Sequence, residues 1–206
     1  MKLKTKIIGL IGLIMALGSH ADNIDSEDPA ALLERTATQI LAQIGARHEE
    51  FSQNKEALQN VVRVSLLPIL DTRYTGRLIL GKAGRNATPE QLEAFAMTMT
   101  EKLIRRYSST LLKYHADAHF DVLPIKGELN PKMTRVRTRV YLQSGGFAPV
   151  DYAFRSSGDG WKIFDVIIEG ISYVTTFRSQ IVPQVQAEGL DAVIRKLKND
   201  EMVLMD

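Results

Sequence analysis

The stretch Met133-Thr134-Arg135-Val136-Arg137-Thr138-Arg139-Val140-Tyr141-Leu142 alternates in character residue by residue. Thr134, Val136, Thr138, Val140 and Leu142 fall on one face, and Arg135, Arg137 and Arg139 on the other. Side chains of an extended backbone alternate with a period of two, so this is a β-strand with one covered and one solvated face. Gly145-Gly146 follows as a hairpin signal. Val150, Tyr152 and Phe154 alternate along the next strand, and Ser157-Gly158-Asp159-Gly160 makes another turn. The strand after it is Trp161 to Ile168. Strict alternation there puts Trp161, Ile163, Asp165, Ile167 and Glu169 on one face and Lys162, Phe164, Val166 and Ile168 on the other. Both faces are apolar in the middle. Both are therefore predicted to be covered, by helices held in a curved sheet or by a ligand in a cavity.

Working outward, residues 29–114 and 171–198 read as helices around the strand block 119–170. Asp28-Pro29 is a helix start, and Leu32, Leu33, Thr36, Ile40 and Ile44 then recur at helical spacing to about Gly45. A second helix is predicted from Asn54 through Leu66, apolar nearly all round and hence buried, and Pro68 breaks it. Residues 70–80 form a short third helix ended by Gly81 and Gly84. Thr88-Pro89-Glu90-Gln91 combines a cap, a proline at the first position and a capping box. From there Leu92, Phe95, Ala96, Met99, Leu103, Tyr107, Leu111 and Tyr114 hold one stripe over about seven turns. The order helices, antiparallel meander, helices gives an α+β class. No linker or internal repeat divides the chain.

Composition agrees with one domain. The chain has 206 residues, 45% apolar and 24% charged, which excludes a disordered or multi-span membrane protein. It has no cysteine, so disulfides, thiolate nucleophiles and Cys-ligated zinc are excluded. Lys2, Lys4 and Lys6, the apolar run Ile7 to Leu17, and Ser19-His20-Ala21 have the layout of a secretory signal peptide, 1–21. The apolar run is too short for a stable transmembrane helix. The alternative is an uncleaved N-terminal anchor. Cleavage leaves a single domain, 22–206, with 23 basic and 24 acidic side chains, a formal charge of −1 in place of +2. That balance gives no reason to expect nucleic acid. The product is expected to be exported and soluble, in a bacterium to the periplasm.

Catalytic motifs are missing: no Gly-rich phosphate loop, nucleophile elbow or HExxH occurs. His115 and His119 flank Asp117, but the pair lacks a third ligand and reads as a helix–strand junction. No metal and no cofactor are predicted. Asp165 sits among Phe164, Val166 and Ile167. It is either a buried base of raised pKa or, the commoner case, half of a structural ion pair with Arg178. The row Arg135, Arg137, Arg139, like Arg105-Arg106, either contacts phosphate or is a solvated face. Met97, Met99 and the aliphatic side chains read as core; seven methionines in all also suit an adaptable apolar cavity.

One stretch goes further. Trp161-Lys162-Ile163-Phe164-Asp165-Val166-Ile167-Ile168-Glu169-Gly170-Ile171-Ser172 closely resembles the W-x-[VI]-x-D-V-x-[IV]-E-G-[IV]-S run of the MlaC family, the toluene-tolerance or ABC transporter auxiliary proteins. Phe177-Arg178-Ser179-Gln180 is similar to the family's Y-R-x-Q element, and Gly189 to Leu197 to its closing G-x-x-x-[LV]-I-x-x-L helix. Leu80-Gly81, Gln91, Phe95, Leu103, Tyr107 and Leu111 follow the family's spacing, so the resemblance spans roughly 30–198. Phe177 stands where Tyr is usual and Thr176 where Asn is common. A frequent Trp is missing near Gly84 and Arg85.

The resemblance implies helices wrapped around a strongly twisted antiparallel sheet, an NTF2-like arrangement, with a deep apolar cavity for lipid tails. It implies a periplasmic, non-enzymatic carrier of diacyl phospholipid. Its partners would be an inner-membrane ABC transporter complex (MlaFEDB-like) and an outer-membrane lipoprotein–porin complex (MlaA-like), and its task the upkeep of outer-membrane lipid asymmetry. The expected cavity wall comes from the concave sheet face and the helices closing on it: Val62, Leu66, Met99, Leu103, Val166, Ile168, Val174 and Ile181. On the residues alone two other functions stay open, an enzyme using Asp165 as acid or base and a non-lipid adaptor of a transporter.

Overall fold

Helix α1 (Pro29–Ala46) starts where the Asp28 carboxylate accepts the Ala30 N–H at 2.7 Å. It buries Leu33, Thr36, Ile40 and Ile44, the spacing expected of one helical face. The chain is described by a computed structural model over residues 28–112, 120–142 and 145–204. The signal peptide 1–21, Tyr114, His115, Asp117 and His119 lie outside the described residues. A short helix absent from the sequence reading, α2 (His48–Gln53), carries Phe51 into the interior. Asn54 then caps α3 (Lys55–Leu66) by accepting the Ala57 N–H at 3.0 Å. This helix is not buried all round. Leu58, Val61 and Val62 are covered, but Val64 is 66% exposed.

A tight helical turn at Leu67–Ile69 follows, and Asp71 caps α4 (Thr72–Leu80) through the Tyr74 N–H. Gly81 ends α4 at φ +51°, a conformation that disfavours any side chain. The capping box of α5 (Pro89–Leu111) forms as expected. Gln91 N–H donates to the Thr88 hydroxyl and Thr88 N–H to the Gln91 side-chain carbonyl.

Five antiparallel strands make one open twisted sheet in chain order: β1 (Phe120–Val122), β2 (Thr134–Tyr141), β3 (Phe147–Ser157), β4 (Gly160–Ile168) and β5 (Ile171–Ser172). On β2, Thr134, Val136 and Thr138 are buried while Arg135, Arg137 and Arg139 are exposed. Strict alternation fails on β4. Ala153 pairs with Asp165 but Phe154 with Ile163, so Phe164 is an extra residue in a β-bulge. The bulge moves Ile163 onto the face of Val166 and Ile168. Rows then cross the sheet as Val136–Tyr152–Val166 and Thr138–Val150–Ile168.

After β5 come α6 (Tyr173–Glu188) and α7 (Leu190–Lys198), parted by Gly189. One sheet face is covered by α1 and the segment 67–70, where Leu33 and Ile69 meet Val136, Phe154 and Ile163. Leu70 bridges to Ile163, whose carbonyl accepts the Asp71 N–H at 2.8 Å. From the other side α4 and α6 reach β4. The Thr75 hydroxyl donates to the Phe164 carbonyl, and Tyr74 meets the Phe164 ring edge-on at 5.4 Å.

Candidate functional site

The interior consists of three apolar clusters. In the first, Ile79, Phe95, Met99, Val174, Phe177 and Ile181 join α4, α5 and α6, with Leu103 at the margin. The second gathers Ile40, Ile44, Phe51, Leu58, Val62 and Ile104 among α1, α2, α3 and α5. The third is the sheet cluster, with Tyr152 and Val166 at its edge. Leu66 borders both the second and the third, and α5 supplies side chains to the first and the second.

Four of the eight wall candidates therefore come together: Met99, Leu103, Val174 and Ile181. Val62 lies in the second cluster and Leu66 between two. Val166 edges the sheet cluster, and Ile168 is half-buried on the same sheet face, opposite Val150. Leu33, Ile69 and Phe154, which cover or line that face, were not among the candidates. Periodicity placed Leu33 and Phe154 on covered faces but not against what, and Ile69 fell in no periodic stretch.

The covered sheet face is poorly hydrated. Burial pushes the Tyr152 phenol up to about 12, which keeps it neutral. Thr138 hides its hydroxyl by donating to the Val150 carbonyl at 2.8 Å. Among the described residues no buried side-chain N or O lacks a partner.

Asp165 is a helix-capping residue. Its two oxygens accept the Ser172 hydroxyl at 2.6 Å and the Val174 N–H at 3.0 Å, at the start of α6 where the helix dipole favours an anion. The expected partner was Arg178. That guanidinium instead donates to the Leu78 carbonyl at 2.7 Å, so the carboxylate is structural without being an ion pair. The signal overlooked was Ser172, a cap-forming residue just before α6, which also accepts the Thr175 N–H. Among the described residues no three metal-binding side chains cluster, and no helix is long and apolar enough to cross a membrane.

Described residues line two clefts at the surface. One of about 400 Å³ lies beside β2 and is lined by Arg135, Arg137, Lys126, Asn130 and Asp151 among others. The second, of about 490 Å³, runs between α6, Lys196 and Met202. Neither of these is a deep apolar slot.

Helices laid on an open, twisted antiparallel sheet around an apolar interior define an α+β domain of a recognised kind. The profile of the MlaC protein family matches residues 34–199, and the chain belongs to that family. It is 28% identical over 169 residues to the toluene tolerance protein ttg2D of Pseudomonas putida, covering 82% of this chain and 78% of that one. Over 180 residues it is 25% identical to the intermembrane phospholipid transport system binding protein MlaC of Haemophilus influenzae, covering 85% and 83%. Its fold is similar to the phospholipid-binding protein from Ralstonia solanacearum, solved with a phospholipid, at a TM-score of 0.76, 22% identity, and 84% and 96% coverage.

Proposed function

We propose that the protein is a periplasmic phospholipid carrier, exported by its 1–21 leader, that moves diacyl lipid between an inner-membrane transporter and an outer-membrane complex. Family membership supports this, as do the relatives' roles in phospholipid transport and toluene tolerance. The observation that carries it is the divided apolar interior. Three separate clusters, which share α1, α5 and Leu66, can part along their seams and admit acyl chains. Each CH₂ kept from water is worth about 0.8 kcal/mol, so two chains represent roughly 20 kcal/mol. A bare lipid crosses an aqueous compartment too slowly, and a carrier must match the bilayer's affinity without much exceeding it. Maintenance of outer-membrane asymmetry follows from such traffic, with no chemistry required of the protein.

Lipid extraction and mass spectrometry of the purified protein test this. The expected result is a mixture of diacyl phospholipids in proportion to membrane abundance. Protein that is folded and lipid-free after expression in a lipid-replete cell overturns the proposal.

A further inference from the structure

The exposed face of β2 lies outside the three apolar clusters and carries a regular row of positive charge. Arg135, Arg137 and Arg139 project from successive outward positions of a strand held on both sides by β1 and β3. Asp121 lies opposite Arg139, and neutralisation of the other two is incomplete. Asp151 lies opposite Arg137 but meets Arg135, at 3.4 Å, and among the described residues no carboxylate bonds to Arg137. The adjoining cleft adds Lys126 and one more acid, Glu128, for three cations against two anions. Met133 at its wall is 52% exposed, and Leu129, on the same loop, is exposed as well.

We propose that this arginine face and its cleft form a docking surface for an acidic segment of a partner protein. The proposal rests on the carrier reading, since a carrier must dock wherever it loads and unloads. Guanidinium forks grip carboxylates in a bidentate manner, and a strand in mid-sheet holds them preorganised. The mature chain is close to neutral, so a local basic face steers an acidic partner to this spot. Exposed Met133 supplies an apolar anchor beside the charges. A flat anionic lipid surface fits less well. Asp151 and Glu128 would press against its phosphates.

The test uses the isotope-labelled mature protein, loaded as purified, and a peptide of about twelve residues alternating Glu and Leu. NMR shifts are expected on β2 and residues 125–135, weakening with salt. Arg137→Glu is expected to reduce affinity at least tenfold, and Arg137→Lys to restore part of it. Shifts located elsewhere, an equal response to a Lys–Leu peptide, or indifference to Arg137→Glu overturns the proposal. So does tighter, Arg137-dependent binding to vesicles of phosphatidylethanolamine and phosphatidylglycerol, which would make the occupant a lipid surface. Lipid content of the same samples separates the two readings. Lipid-free wild type that still binds the peptide here sinks the carrier and keeps the docking face. Lipid-loaded protein indifferent to Arg137→Glu does the reverse.

Discussion

The Lys102 ammonium lies 2.6 Å from the Asp200 carboxylate, tying the middle of α5 to the chain just beyond α7. Lys102 is almost fully buried, and Arg105 approaches the same carboxylate at 3.4 Å. Asp200 adopts φ +59°, in the left-handed region. Past it, Met202 and Leu204 turn back onto the α4–α5–α6 cluster, with Leu204 fully buried. The family match ends at residue 199, so this strap lies just beyond the matched segment.

Asp200→Asn tests the pair. Asn tolerates the same backbone, so the variant removes the charge and little else. The buried ammonium then lacks its anion, and a loss of about 1–2 kcal/mol is expected, a Tm drop of roughly 2–8 °C. Lys102→Met removes the need for a partner and is expected to cost less. Calorimetry that ranks the two the other way dissolves the argument.

Acid should weaken two pairs together. Hydrogen bonding to Lys102, with the Lys102 and Arg105 charges, holds the Asp200 carboxyl below the usual carboxylate range. The Arg63 fork, bonded at 2.7 Å through both nitrogens, does the same to Glu101 and joins α3 to α5. A carboxyl depressed in the folded state binds fewer protons there than in the unfolded chain. Its stabilisation is present above the unfolded values near 4 and disappears as pH falls through the lower folded ones. Urea unfolding of wild type should therefore show stability declining below about pH 4.5. The Glu101→Gln/Asp200→Asn double variant should start lower and decline less. Parallel profiles would mean that other carboxylates govern acid sensitivity.

Much of this architecture was legible because its signals are local. Asp28-Pro29, Asn54 and Thr88-Pro89-Glu90-Gln91 name the helix starts, and the arginine alternation names β2 and its bare face. What stayed hidden depends on partners distant in sequence. Phe164 becomes a bulge only through the register of β3, and Asp165 finds α6 rather than Arg178. The strap at Met202 and Leu204 is too short for any period. The wall candidates suffered similarly. A 3.6-residue stripe says that Val62 and Met99 are buried, but not that they belong to different clusters.

For Asp165 the expectation is structural. Asp165→Asn keeps one acceptor for α6 but loses the charge at its N-terminus and one of the two bonds, with an expected cost of about 1–2 kcal/mol. Lipid should remain in whatever protein folds. A variant of unchanged stability that loses a pH-dependent turnover would instead revive the acid–base reading.

The wall of the lipid slot is the most direct test of mechanism. Leu103, at the margin of the α4–α5–α6 cluster, and Val166, at the edge of the sheet cluster, border two different apolar clusters. A glutamate at either place must ionise in poorly hydrated surroundings or stay protonated at a cost, and a neighbouring acyl chain loses contacts. Leu103→Glu and Val166→Glu are each expected to reduce co-purified lipid several-fold, with some loss of stability. Val64→Glu, at an exposed position of α3, should leave lipid content unchanged. Alanine separates wall from core. Where a tail can shift into the space, as expected at Leu103, truncation costs little. At Ile181, a wall candidate that is fully buried in the same cluster, Ile181→Ala should instead behave as core and lose about 2–5 kcal/mol to an unfilled void. Thermal melts and lipid mass spectrometry on the same preparations decide the matter. If Leu103→Ala is as damaging as Ile181→Ala, and the glutamate variants that fold carry full lipid, the slot runs elsewhere and these side chains are plain core.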